Sequence, residues 1–410
     1  MRHLTTRPKS YRAALAAALV TLGALLLPAA AFAVTPEPSP TGEPTPPPTT
    51  ITCLLSQPAV VYGGTVGVTG VVQPAVEGQE VTVTLAGAPV ATAFTDVAGA
   101  YAADVVPRGG GDVVAILAAA GTASTPLPLV VKPGVSVARG TPVPFLRLAY
   151  TVKVTPARYT GTVVVRLLHR GAVVAVTSTR CRDGKVVFSL PLRGVDGFTA
   201  RFSLAAAGDL GPRVVENRVQ VKWRTLKVGS SSQHVRGLLT ALNRLRIRVP
   251  AIGTTFTSRC RDSVVAFQKA YGLSRTYVVD YDDWRRLETA KRVRPRYAAP
   301  RIHLEVDKHR QILMVVVDGA VLGLIPVSTG ATGNTPEGSF SIQRKTPVTS
   351  GLYGPDFLYR TMGFIGNFAI HGYDPVPPYP ASHGCIREPI WVADWVYDHS
   401  FVGERLFIYH

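Results

Sequence analysis

Cysteine is scarce in this chain: 410 residues hold four, at positions 53, 181, 260 and 385. That is too few for a disulfide scaffold, and no C-x-x-C pair occurs. One bridge, Cys53 to Cys181, stays open beside the reading in which Cys53, Cys181 and Cys260 are small buried apolar residues. No H-E-x-x-H occurs, which removes the helical zinc-peptidase arrangement, and no S-x-x-K, which removes a serine–lysine nucleophile. Acidic residues are also few, 26 against 44 Lys+Arg, for a formal net charge of +18. Beyond the N-terminal region no segment is apolar enough to span a bilayer.

The N-terminus reads as an export signal over residues 1–33. Arg2, Arg7, Lys9 and Arg12 form a basic region, Ala13 to Leu27 is a 15-residue apolar run, and Ala31-Phe32-Ala33 is an A-x-A site. The run falls short of the roughly 20 residues that span a bilayer, and an uncleaved membrane anchor is the alternative. No cysteine lies near the cleavage point, which argues against a lipid anchor. The expected location is the cell wall or the outer face of the membrane. Residues 34–50 are proline-rich and read as a semi-rigid spacer.

Removing the four signal-region charges leaves 18 − 4 = +14. Residues 225–300 hold 15 Lys+Arg against 5 Asp+Glu. For an exported chain that balance suits an anionic wall polymer. Nucleic acid is not expected, since no recognition motif accompanies the charge.

From 51 to 131 the sequence alternates at period two and is rich in Val, Thr and Gly. Thr65–Val72, Glu80–Leu85 and Asp112–Leu117 read as half-buried strands between glycine turns. A second such segment, 132–224, has Tyr150–Thr155, Gly161–Leu168 and Lys185–Leu190 as its clearest strands. Short strands at this spacing predict two β-sandwiches. Both segments resemble bacterial immunoglobulin-like spacer domains.

Residues 225–292 change to period 3.6. His234–Leu245 puts Val235, Leu238, Leu239, Leu242 and Leu245 on one face. A second helix is expected near Asp262–Tyr271, ending at Gly272, and a third at Asp282–Leu287. The core Val264-Val-Ala-Phe-Gln268…Gly272-Leu273…Trp284 resembles the three-helix peptidoglycan-binding domain, departing from it by Cys260 and many arginines.

After a linker at 293–300, residues 301–410 are the catalytic candidate. Arg301–Val306 and Gln311–Val317 read as a hairpin turning at Asp307–Arg310, followed by Ala320–Val327. Within this segment Cys385 lies two residues after His383 and 14 after His371. A thiol attacks as its thiolate, so an imidazole able to take its proton is the companion it needs. Gly384 lets the backbone approach a substrate carbonyl closely. Alternation in the strand Asn367–His371 sets His371 opposite Phe368 and Ile370.

The pattern His371…Ser382-His383-Gly384-Cys385-Ile386-Arg387, with Thr335-Pro-Glu-Gly-Ser-Phe340 upstream, resembles the L,D-transpeptidase (YkuD) family. Length and the alternating segments predict a mainly β multidomain chain, and the resemblance implies a compact β-rich catalytic domain at its end. It makes Cys385 the nucleophile, His371 the general base and His383 a site-shaping residue. The N–H groups of Gly384 and Cys385 become oxyanion donors. Arg387 fixes local loops or a substrate carboxylate, and Ser382 suits a turn as well as a catalytic group. Gly372 joins the substrate contacts, and the segment 345–360 resembles a lid offering Tyr353, Tyr359 and Arg360. The implied substrates are peptidoglycan stem peptides, joined 3→3 through a thioester, with no cofactor and no metal. Carbapenems are expected to acylate the same thiol. The spacing from His371 to Ser382 is shorter than in many members.

Three alternatives remain at this level. Water as acceptor would make the enzyme an L,D-carboxypeptidase. His371, His383 and Cys385 could instead ligate zinc in a peptidase, with Asp374 as the acid nearby. A wall-bound spacer protein with a degenerate C-terminal domain is the non-enzyme reading.

Overall fold

Alternating side chains in the N-terminal half produce paired sheets with one face inward. The computed structural model of the protein describes residues 47–350 and 357–410. The expected signal over 1–33, nearly all of the 34–50 spacer and the lid residue Tyr353 lie outside the described residues. Among the described residues, no helix is long and apolar enough to cross a membrane.

In the first β segment Val66–Gln73 pairs with Ala100–Val105, while Glu80–Leu85 sits between Gly111–Leu117 and Ala88–Phe94 in a second sheet. In the next segment Arg147–Thr155 lies between Gly134–Arg139 and Lys185–Pro191. Thr162–His169 runs between Ala172–Arg180 and Asp196–Leu204. The expected strands fall within a few residues of these bounds. Inward side chains such as Val66, Val83, Val165 and Phe202 belong to one buried cluster that runs through both segments. Cys53 and Cys181 are buried free thiols, so the bridge left open between them is not formed.

The helical segment holds α1 (Gln233–Arg244), α2 (Ser258–Tyr271) and α3 (Tyr281–Thr289). Helix α2 starts four residues earlier than its apolar pattern predicts, which places Cys260 inside its first turn, buried beside Thr257. It ends at Gly272, whose φ of 68° suits a residue without a Cβ. Helix α3 opens with a reciprocal capping box between Asp280 and Asp283.

The C-terminal segment has two sheets. Strands β1 (Ile302–Asp307), β2 (Ile312–Val317), β3 (Ala320–Pro326), β4 (Gly338–Ser341) and the final strand β9 (Arg405–Tyr409) form one, in the order β3-β2-β1-β9-β4. The other runs β5 (Arg344–Ser350), β6 (Phe357–Ile365), β7 (Phe368–Gly372), β8 (Ile386–Glu388), and helix α4 (Ile390–Asp398) follows it. The all-apolar run Ile312-Leu-Met-Val-Val-Val317 is explained by burial on both faces. Ile312, Met314 and Val316 pack into the cluster built by α1, α2 and α3, while Leu313 and Val315 pack toward the second sheet.

The helical segment is joined to this sheet by backbone as well. Ile247 bridges Leu324 in parallel, with Arg248 N–H donating to Leu324 O and Leu324 N–H to Arg246 O at 3.0 and 2.8 Å. The residues after α1 therefore extend the edge of β3.

Candidate active site

Strands β7 and β8 are parallel neighbours, with Ile370 opposite Ile386 and His371 opposite Arg387. A parallel pair needs a long crossover, and residues 373–385 supply it without a helix. Side-chain alternation puts Ile370 and Ile386 into the core and His371 on the other face. Continuing the register one residue back brings Cys385 beside Ala369, on the face that holds His371. Ideal sheet spacing sets the two Cα atoms about 8 Å apart, a span their side chains can close. The expectation that Phe368 and Ile370 oppose His371 is met.

His371 is 2% exposed and its Nδ1 lies 3.1 Å from the Gly372 carbonyl. A carbonyl only accepts, so Nδ1 carries the proton and Nε2 keeps the lone pair. Burial, reinforced by Arg387 and opposed by the Gly372 contact, pulls the imidazole down to about 4. The Cys385 thiol donates to Asn367 O at 3.6 Å, and burial pushes it above its ordinary range. The N–H of Ala369 and the charges of Arg387 and Arg344 act against that rise. At neutral pH both groups rest uncharged.

The turn that carries Cys385 is tied down from several sides. Ser382 Oγ donates to Cys385 O at 2.5 Å and accepts Gly384 N–H at 3.0 Å. These two bonds make it part of the turn. The same contact corrects one expectation: the Gly384 N–H already has a partner in Ser382. The other donor expected from the sequence is the Cys385 N–H. Gly384 has φ +134°, and a Cβ there would lie 2.5 Å from the Phe368 ring. Glycine is required by that packing as much as by any substrate.

Three tying residues escaped the reading of the sequence. Asn334 Nδ2 donates to His383 O at 2.8 Å, and Thr335 Oγ1 donates to Gly384 O at 2.6 Å while accepting Gly330 N–H at 2.8 Å. Lys308 Nζ in turn donates to Thr335 O at 2.7 Å and to Glu337 at 3.0 Å. The signal available in the sequence is the Thr335–Phe340 element, whose first residue makes two of these bonds.

Arg387 donates to Ala381 O at 3.1 Å and lies 4.3 Å over the Tyr373 ring, so it joins the two ends of the crossover. His383 is exposed on the turn. Tyr359 pairs with Gly372, next to His371, and both Tyr359 and Arg360 reach Asp394 of α4, at 2.8 and 2.6 Å. Gly372 faces α4 through its missing Cβ, close to Ala393 and Tyr359. Among the described residues no three His, Cys, Asp or Glu side chains converge as a metal site would require.

Residues 301–408 match the family model of the L,D-transpeptidase catalytic domain (YkuD) and carry such a domain. Among solved structures, the L,D-transpeptidase of Xylanimonas cellulosilytica is 29% identical over 46% of this chain and 98% of that chain, with a TM-score of 0.44. An L,D-transpeptidase of Stackebrandtia nassauensis is 20% identical over 45% and 95%, with a TM-score of 0.31. L,D-transpeptidase 1 of Mycobacterium tuberculosis is 22% identical over 27% and 62%, with a TM-score of 0.23. No curated protein matches the chain.

Proposed function

We propose that this protein is an exported peptidoglycan L,D-transpeptidase that forms 3→3 crosslinks through a thioester on Cys385. The observation that carries the reading is the parallel pairing of β7 with β8, which holds His371 in one strand and Cys385 one residue before the other, inside a segment that matches the family model.

The reaction proceeds from a neutral pair. As Cys385 Sγ attacks the carbonyl carbon of an L,D-peptide bond, its proton passes to His371 Nε2. The oxygen gains negative charge and is held by the Cys385 N–H. The C–N bond then breaks, His371 returns the proton to the departing amine, and a D-amino acid leaves. In the second half an amine from a neighbouring stem peptide gives its proton to His371 and attacks the thioester. The thiol is released as the new amide forms. No ATP is needed, because one acyl bond is exchanged for another. The basic character of residues 225–300 supports retention near anionic wall polymer.

Intact-protein mass spectrometry with a carbapenem tests the nucleophile. The parent should gain one adduct and Cys385→Ala none; a folded parent with a free Cys385 and no adduct would overturn the reading. Digestion products of purified muropeptides then separate crosslinking from hydrolysis.

A further inference from the structure

The crossover between His371 and Cys385 is poor in donors. Pro375, Pro377, Pro378 and Pro380 have no N–H, so the segment can be held mainly through its carbonyls. Three successive carbonyls are each taken by a side chain. Pro377 O accepts from Lys269 Nζ at 3.4 Å, Pro378 O from Arg275 at 2.8 Å and Tyr379 O from Ser328 Oγ at 2.7 Å. Two of these three donors come from the helical segment: Lys269 from the last turn of α2, and Arg275 from just beyond it.

Lys269 is 1% exposed and makes no ion pair among the described residues. Its stronger contact is to Val327 O at 2.7 Å. The next residue, Ser328, exchanges two backbone hydrogen bonds of 2.9 Å with Arg387, two places after Cys385. One ammonium therefore touches both sides of the frame around the catalytic turn. Burial pulls this lysine down to about 7, with Arg275 adding to the fall and Asp262 opposing it. An apolar residue would dock α2 against β2 and β3 without that desolvation cost, and the surrounding core already does so.

We propose that Lys269 and Arg275 are positioning residues for the C-terminal active site, holding the Val327, Pro377 and Pro378 carbonyls so that His371 and Cys385 keep a reactive spacing. On this account the helical segment completes the catalytic unit and is more than a wall-docking module. The inference rests on the acyl-transfer reading above.

The test compares full-length parent with Lys269→Met, Arg275→Met, Arg275→Lys and a stability control in α1, Leu238→Ala. Acylation of Cys385 by a carbapenem is followed by mass spectrometry, separating the saturating rate from the half-saturating concentration. The two Met variants should lose about tenfold to a hundredfold in the saturating rate, with the half-saturating concentration little changed. Arg275→Lys, which can still donate to Pro378 O, should keep most of the rate. Leu238→Ala should melt earlier while its folded fraction reacts at the parent rate. Met variants that fold and react as fast as the parent would overturn the proposal. If Lys269→Met does not fold, Arg275→Met decides alone. A parent that is itself never acylated would instead sink the catalytic reading, and the proposal with it.

Discussion

Ser382 and Cys385 are locked at opposite ends of one turn: the serine hydroxyl donates to the cysteine carbonyl at 2.5 Å and accepts the intervening Gly384 N–H at 3.0 Å. The hydroxyl thus orients the peptide planes on both sides of the nucleophile, including the plane next to the Cys385 N–H expected to meet the oxyanion. Ser382 is 3% exposed, so water cannot readily replace it.

Ser382→Ala should leave a buried N–H without a partner, at a cost of about 1–3 kcal/mol. The expected outcome is a folded protein whose Cys385 still alkylates but acylates roughly tenfold to a hundredfold more slowly. Ser382→Thr, which keeps the oxygen, should recover part of the rate. Equal acylation by Ala and parent would show that the turn holds without the hydroxyl.

The neutral resting pair gives a distinctive pH profile. An imidazole held near 4 stays a competent base well below the ordinary histidine value of 6.5. The thiol, pushed upward by burial, stays protonated through neutral pH. Acylation should therefore stay level as pH falls from 7 through 6.5, and drop only as His371 takes a proton near 4. Pre-steady-state acylation rates across that range check this. A limb centred near 6.5 would mean that the imidazole is solvated when it reacts.

Much of the scaffold was legible because it follows local periodicity. The face Val235, Leu238, Leu239 and Leu242 predicted α1, and alternation predicted the strands around Glu80–Leu85 and Lys185–Pro191. What escaped depends on distant contacts. Ile390–Asp398 is rich in aromatic and β-branched residues and has no side-chain N-cap bond, so nothing local announces α4; packing against β6 and β7 decides it. The pairing of Ile247 with Leu324 lies in the alternating run Leu245-Arg-Ile-Arg-Val249, but the strand it joins comes from a separate segment of the chain. At the site, Cys385 and His371 were visible by type and spacing. Asn334 and Thr335 act on carbonyls 49 residues away, which no local pattern encodes. The bonds of Tyr359 and Arg360 to Asp394 join residues 35 and 34 apart in sequence, which no local pattern encodes either.

Thr335 offers a second route to the same turn. Its hydroxyl both donates to Gly384 O and accepts Gly330 N–H, in a site 1% exposed. Thr335→Val keeps the volume and deletes both bonds. Acylation should fall by about tenfold or more, and Thr335→Ser should retain most of it. The Ser382→Ala/Thr335→Val pair should be less than additive, because the two hydroxyls hold Gly384 from either side, one at its N–H and the other at its carbonyl. Full additivity would mean that the two hydroxyls act on separate features.

Glu388 tests the electrostatics of the sheet beneath the site. It follows Arg387 in β8, is 0% exposed, and neither carboxylate oxygen has a hydrogen-bond partner among the described residues. Burial pushes its carboxyl well above the ordinary 4.5. The folded protein thus holds a proton that the unfolded chain releases above that value. Stability associated with the neutral acid is fully present below about 4.5 and falls as pH rises toward the folded value. Glu388→Gln cannot ionise, so its advantage over the parent should be near zero at pH 4 and should grow toward pH 8. The slope is at most about 1.4 kcal/mol per pH unit. Glu388→Met also removes the unpartnered oxygens, and should add a gain that does not depend on pH. Chemical denaturation of parent and both variants at pH 4, 6 and 8 reads these differences directly, and common titrations elsewhere cancel. A parent as stable as Glu388→Gln at pH 8 would mean that the carboxylate finds a donor when it ionises.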